Sequence, residues 1–177
     1  MYCPRRRQVL KTAAFALPAA ALPGFALASA KPRSLRFYHT HTGEKLDVVY
    51  HENGDYVPDA LGEINYLLRD FRSEDVFPID PPLLDFLHAA QDRLGSAGRF
   101  EIISAYRSPT TNEMLRKRGG GVARQSQHLK GKAIDVRLAN IPTADLRQAS
   151  LDMARGGVGY YPKSDFVHLD TGRVRFW

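Results

Sequence analysis

Two histidines and an aspartate carry the most direct chemistry available to this sequence. In Ser126-Gln127-His128-Leu129-Lys130-Gly131-Lys132-Ala133-Ile134-Asp135, a histidine and an aspartate stand seven residues apart, with Gly131 permitting a tight turn between them. Farther on, Phe166-Val167-His168-Leu169-Asp170 has the pattern of a strand that sets Phe166, His168 and Asp170 on one face. Neutral imidazoles with a carboxylate form a donor set suited to zinc, and three protein ligands leave one tetrahedral position open, as catalytic sites require. Zinc lowers the pKa of water in such a position toward ~7 and polarises a carbonyl under attack, which is the chemistry of amide hydrolysis. That reaction also needs a proton acceptor and a donor for the developing oxyanion, for which Asp165 and Arg107 are the candidates.

The remaining histidines are weaker candidates. His39 and His41 lie two apart on one expected strand face, a spacing compatible with metal, but no carboxylate accompanies them, and they are expected to be structural or to line a groove. His51 and His88 have the settings of surface or core-edge residues. Tyr106, Tyr160, Tyr161 and Trp177 are aromatic candidates for a peptide groove or for core.

The elements that must position these groups follow from periodicity and turn chemistry. Alternation over Ser34–His41 and again over Leu46–Tyr50 predicts a β-hairpin, and Asn53-Gly54-Asp55 a turn. Helical spacing of Leu61, Ile64, Leu67, Leu68 and Phe71 predicts a first helix after Pro58. A second begins at Asp80 with Pro81 and Pro82 in its first turn and stops at Gly95. Phe100–Ser104 is a short strand, and Ser108-Pro109-Thr110 opens a third helix that ends at Gly119-Gly120-Gly121. Lys132–Val136 is a strand, Thr143 is the expected cap of a helix running to about Arg155, and Val158–Tyr161 and Phe166–Asp170 are the last strands. Helices and strands do not alternate strictly, so the fold class is α+β around a largely antiparallel sheet flanked by helices.

The first thirty residues have a different character. Arg5, Arg6, Arg7 and Lys11 precede an apolar, alanine-rich run from Thr12 to Leu27, and Ala28-Ser29-Ala30 is an A-x-A cleavage sequence, together a secretory signal. Arg6-Arg7 followed by Gln8, Val9, Leu10 and Lys11 is of the twin-arginine kind, which implies export to the periplasm. Pro18 and Pro23 interrupt the run, which is short for the ~20 residues of a spanning helix, so no stable membrane insertion is expected after cleavage.

Without residues 1–30 the chain has 21 Lys and Arg against 19 Asp and Glu, a formal charge of +2 in place of +6. The apparent basicity belongs mainly to the signal, and no basic stripe with interleaved aromatics remains to support nucleic-acid binding. The lone cysteine, Cys3, leaves with the signal, which excludes thiolate ligands, cysteine nucleophiles and disulfides from residues 31–177. Those residues have the length of one domain.

Three segments together resemble a known family. Ser126-x-His128-x-x-Gly131-x-Ala133-x-Asp135 resembles the S-x-H-x-x-G-x-A-x-D motif of the zinc D-Ala-D-Ala carboxypeptidases and dipeptidases, whose fold is shared with hedgehog signalling domains. Ser104-Ala105-Tyr106-Arg107-Ser108 is similar to that family's S-G-Y-R-S, with Ala105 in place of glycine, and Gly159-Tyr160-Tyr161-Pro162 with Phe166–Asp170 is similar to the segment bearing its last histidine. Tyr38–Glu44 and the end at Trp177 narrow the resemblance to the murein endopeptidase K branch.

The resemblance implies zinc held by His128, Asp135 and His168, with Arg107 stabilising the transition state. It also implies cleavage of peptidoglycan cross-bridges between stem peptides, notably at meso-diaminopimelate. In the dipeptidases the base is a Glu three residues before the last histidine, and Asp165 occupies that position here, with Asp170 as an orienting group or alternative base. Two other readings stay open: a D-alanyl carboxypeptidase, and a zinc-stabilised wall-binding module without catalysis.

Overall fold

A computed structural model describes residues 31–119 and 121–177. The expected export signal at residues 1–30 lies outside the described residues. Among the described residues, eight strands form one sheet: β1 (Arg33–His39), β2 (Lys45–Glu52), β3 (Asp55–Tyr56), β4 (Phe100–Ser104), β5 (Ala133–Leu138), β6 (Gly157–Tyr161), β7 (Phe166–Asp170) and β8 (Arg175–Phe176). Their spatial order is β3-β2-β1-β4-β5-β7-β6-β8. Only β1–β4 and β6–β8 pair in parallel, so the sheet is largely antiparallel and the class is α+β, as expected.

The helices are α1 (Pro58–Leu67), α2 (Pro81–Arg93), α3 (Pro109–Lys117) and α4 (Thr143–Met153), with a short 3-10 helix at Gln127–Lys130. Alternation sends Leu35 and Phe37 of β1, Phe100 and Ile102 of β4, Ile134, Val136 and Leu138 of β5, and Val167 and Leu169 of β7 into one buried core. Ile64 of α1, Leu83, Leu84, Phe86 and Leu87 of α2, and Leu146 of α4 pack into the same core. Burial of such side chains is worth roughly 1.5–3 kcal/mol each, so this face of the sheet holds the frame. The opposite face of β5 and β7 is thereby left to Asp135 and His168, which stand directly across from each other in register.

Several local outcomes differ from the periodicity reading. The first helix stops at Leu67 rather than reaching Phe71, because Arg69 turns back to donate to the Tyr66 carbonyl and to pair with Glu44 and Glu74. The residue capping α4 is Pro142, and Thr143 is its first helical position, with its hydroxyl directed to the Asp165 carboxylate at 2.9 Å. Asn53 and Gly54, with φ of 54° and 95°, join β2 to the unexpected β3 through a two-residue turn of the kind that hairpins favour. β3 and β8 have two residues each, too few for alternation to announce them.

Candidate metal centre

Each residue of the Ser126–Asp135 motif has a local task. The Ser126 hydroxyl caps the short helix by accepting from the His128 backbone N–H at 3.3 Å. That helix ends at Gly131, whose φ of +64° belongs to the left-handed region. A side chain at this position would also meet the Pro78 carbonyl oxygen at 2.1 Å, so only glycine fits the turn that returns the chain into β5. Ala133 and Asp135 then share the face turned away from the core.

The preceding motif completes the frame. The Ala105 carbonyl accepts from His128 Nδ1 at 2.6 Å, and the Arg107 backbone N–H donates to the His128 carbonyl at 3.2 Å. Ser108 caps α3 by accepting from the Thr111 N–H, while its own N–H donates to the buried Asp70 carboxylate. Its neighbour Tyr106 stacks on Phe77 with ring centres 4.8 Å apart and takes no part in the cleft.

His128, Asp135 and His168 are all buried and converge. One ligand atom from each lies within 4.8 Å of the others, a grouping that could hold a metal ion. His128 Nε2 is 3.2 Å from His168 Nδ1 and 3.4 Å from Asp135 Oδ1, and His168 Nδ1 is 2.8 Å from the same oxygen. Donors about 2.0–2.1 Å from a tetrahedral zinc stand about 3.3 Å apart, which the two separations from His128 Nε2 match, while the 2.8 Å between His168 Nδ1 and Asp135 Oδ1 is a direct hydrogen-bonding distance.

The far nitrogens set the tautomers. A carbonyl can only accept, so His128 carries its proton on Nδ1, toward Ala105, and leaves the Nε2 lone pair facing inward. His168 lies between two carboxylates, with Nε2 2.9 Å from Asp170 Oδ2 and Nδ1 2.8 Å from Asp135 Oδ1, so a proton kept on Nε2 by Asp170 frees Nδ1 to act as a ligand. Two imidazole nitrogens and a carboxylate oxygen thus converge in a buried place, a donor set that could hold a cation.

The electrostatics follow the same geometry. Burial lowers the His128 pKa and keeps that imidazole neutral, as a ligand must be. For His168 burial acts in the same direction, but hydrogen bonds with Asp135 and Asp170 outweigh it and raise the pKa. Burial would raise the Asp135 carboxyl, yet the two histidines overcome this and hold it well below the usual carboxylate range.

Asp170 is fully buried and occupied by several partners at once. Besides His168 it binds Arg175 through two hydrogen bonds of 2.9 and 2.7 Å and accepts from the backbone N–H groups of Gly157 and Gly172. A carboxylate so committed orients His168 and has no lone pair left to take a proton from water.

The group opens into a cleft of about 720 Å³. Its walls include Arg107, residues 121–123 and 125–127, Tyr161, Phe166, Arg173, Arg175 and Trp177. The Trp177 indole lies 5.2 Å from the His168 ring and donates from Nε1 to the Tyr161 hydroxyl at 2.8 Å. It occupies the space that Gly159, the β6 neighbour of His168, leaves free; a side chain at 159 would meet the indole at 2.7 Å.

Arg107 is brought to this group. Its guanidinium is buried, with Nη2 3.8 Å from Asp135 Oδ2 and Nη1 donating to Asn112 Oδ1 at 3.4 Å. Asp165 is not brought there. It lies in the β6–β7 turn with φ of 51°, exposed, and its carboxylate accepts from the Thr143 hydroxyl and faces Arg137 at 3.4 Å, among residues that line a separate hollow. The strand begins only at Phe166, so alternation does not orient Asp165, and its carboxylate accepts from the Thr143 hydroxyl instead.

Comparison with known proteins agrees with the motifs. A family model described as peptidoglycan L,D-endopeptidase MepK matches residues 27–177. The chain belongs to this family. Relatives carrying the name peptidoglycan L,D-endopeptidase MepK, from Escherichia coli strain K12 and from Shigella flexneri, are each 42% identical over 97% of this chain and 96% of their own. A Haemophilus influenzae relative is 40% identical over 97% of this chain and 95% of its own.

The MepK family match therefore spans the motif segments, all eight strands and the cleft. Sequence reasoning passed over Asn112, Arg173 and Arg175 as members of this site. The pair Arg173 and Arg175, two apart and just past the Asp170 strand, was the available signal, but their place on the cleft wall is set only by the fold.

Proposed function

We propose that this chain is a zinc-dependent endopeptidase of the periplasm that cleaves peptide cross-links of peptidoglycan, at bonds made by meso-diaminopimelate. The observation that carries the reading is the inward convergence of two imidazole nitrogens and one carboxylate oxygen on a peptide-sized cleft. Family membership and the activity for which the relatives are named support the substrate class.

His128, Asp135 and His168 would hold the zinc, with Ala105 and Asp170 fixing the ring orientations from behind. When bound, zinc supplies Lewis-acid polarisation of the scissile carbonyl and activation of the attacking water. Arg107 presents a charged, buried guanidinium beside Asp135 and donates to the oxygen that gains charge as the amide carbon becomes tetrahedral. Residues 121–123 and 125–127 line the cleft together with Tyr161, Phe166 and Trp177 and would shelter the bound peptide.

Asp165 would act as the proton acceptor only once its carboxylate has left Thr143 and Arg137 and reached the cleft. Asp165→Asn tests that role directly: lost kcat with retained zinc assigns it, and unchanged kcat removes it. Export by the twin-arginine route rests on Arg6-Arg7 and the segment after them.

The decisive measurement is a digest of purified murein by the zinc-loaded protein, resolved by mass. Loss of dimeric muropeptides supports the endopeptidase. Shortening of monomers alone would make the protein a carboxypeptidase, and binding to sacculi without soluble products would make it a wall-binding module.

A further inference from the structure

Three guanidinium groups line the cleft, from Arg107, Arg173 and Arg175, and the only side-chain carboxylate among the described lining residues is Asp135. Two of the three are committed. Arg175 is paired twice with Asp170 and lies over the Trp177 ring at 5.0 Å, and Arg107 is held by Asn112 and Asp135. Arg173 has no hydrogen-bond or ion-pair partner for its side chain among the described residues, and it is exposed.

The backbone beneath Arg173 is nevertheless fixed. Thr171 N–H donates to the Lys132 carbonyl at 3.0 Å, and its hydroxyl donates to Asp80 Oδ2 at 2.6 Å. Gly172 N–H donates to Asp170 at 2.8 Å, and the Arg173 carbonyl accepts from Arg175 Nη1 at 3.1 Å. A segment tied down on both sides thus presents one free guanidinium to a cleft that offers it no acidic partner.

We infer that Arg173 is a specificity-determining residue that binds a free carboxylate on the substrate, carried by the residue flanking the scissile amide. The inference rests on the proposed endopeptidase reading and deepens it. A planar guanidinium matches a carboxylate through two parallel hydrogen bonds, and the surplus positive charge of the walls favours an anionic peptide over a neutral one. A diamino dicarboxylic acid such as meso-diaminopimelate, joined through one amine, keeps a carboxylate close to that amide. Its carboxamide is the neutral counterpart of nearly the same shape.

The test compares two cross-linked peptides that differ only in that group, carboxylate or carboxamide, with zinc content and melting temperature measured for every protein. The zinc-loaded wild type is expected to favour the carboxylate by about 10- to 100-fold in kcat/KM, chiefly through KM. In Arg173→Ala the preference falls to about one, and Arg173→Lys, which keeps the charge but not the fork, retains part of it. Equal cleavage of both peptides by the wild type overturns the inference and leaves the endopeptidase standing. A preference that survives in Arg173→Ala, or an equal loss on both peptides, also overturns it, the second outcome marking a structural role. Cleavage of neither peptide by zinc-loaded wild type overturns the endopeptidase reading and this inference together.

Discussion

The molecule has two pairs of histidines that each lie close together, and only one pair is arranged to bind a cation. His128 and His168 stand 5.0 Å apart, ring centre to ring centre, and His39 and His41 stand 6.0 Å apart. In the first pair the outer nitrogens face a carbonyl and a carboxylate that can hold their protons, and the inner nitrogens turn toward Asp135. In the second, His39 Nδ1 accepts from the backbone N–H groups of His41 and Thr42, its Nε2 is buried with no partner, and His41 stacks on Phe71 at 4.2 Å. The nearby Glu44 and Glu74 are both engaged by Arg69. Proximity of imidazoles does not make a ligand set; a carboxylate between them and a fixed tautomer do.

The largest test of this contrast is removal of a ligand. His168→Ala is expected to retain near zero metal after dialysis, where the wild type retains about one equivalent, and to lose roughly 10³-fold in hydrolysis. His41→Ala, assayed by the same metal analysis, is expected to match the wild type. Metal loss there would break the comparison.

The second test uses acid. Burial, with a smaller contribution from His41, lowers the His39 pKa to about 4. Between about pH 6.5 and pH 4 the unfolded chain takes up a proton that the folded chain refuses, so stability falls as the pH falls through that window. The full span is on the order of 3 kcal/mol. Urea midpoints measured across it should decline in the wild type and vary less in His39→Asn, which keeps an acceptor but cannot be protonated there. Equal slopes would mean that His39 meets a partner in acid that this conformation lacks.

The smallest effect sharpens the comparison from behind the ligand. Asp170→Asn keeps the shape and weakens the hold on His168 Nε2, and metal affinity should fall about 10–100-fold in a chelator competition. An unchanged affinity would show that ring orientation comes from packing against Trp177 instead.

The difference between the pairs was partly legible before any coordinates. Ser126, Gly131 and Ala133 each have a role that local chemistry dictates, so the spacing of His128 and Asp135 carried its own explanation. His39 and His41 lacked a carboxylate in the sequence, and they lack a free one in space. The helices and longer strands followed from periodicity because each buries one face against a common core.

What escaped was set by contacts distant in sequence. Asp165 is placed by Thr143, 22 residues away, through a hydroxyl whose position in the sequence suggests a helix cap. Arg175 found Asp170 through a turn that only the neighbouring strands define, and Arg173 acquired its place by the same turn. The two-residue strands β3 and β8 were too short to leave a pattern.

The Trp177 indole beside His168 has a practical consequence. The chain has a single tryptophan, so all indole emission comes from one ring at the edge of the cleft. Its intensity is a label-free optical signal of the immediate surroundings of His168, and titration with a quenching ion such as cobalt or copper turns it into a direct binding isotherm.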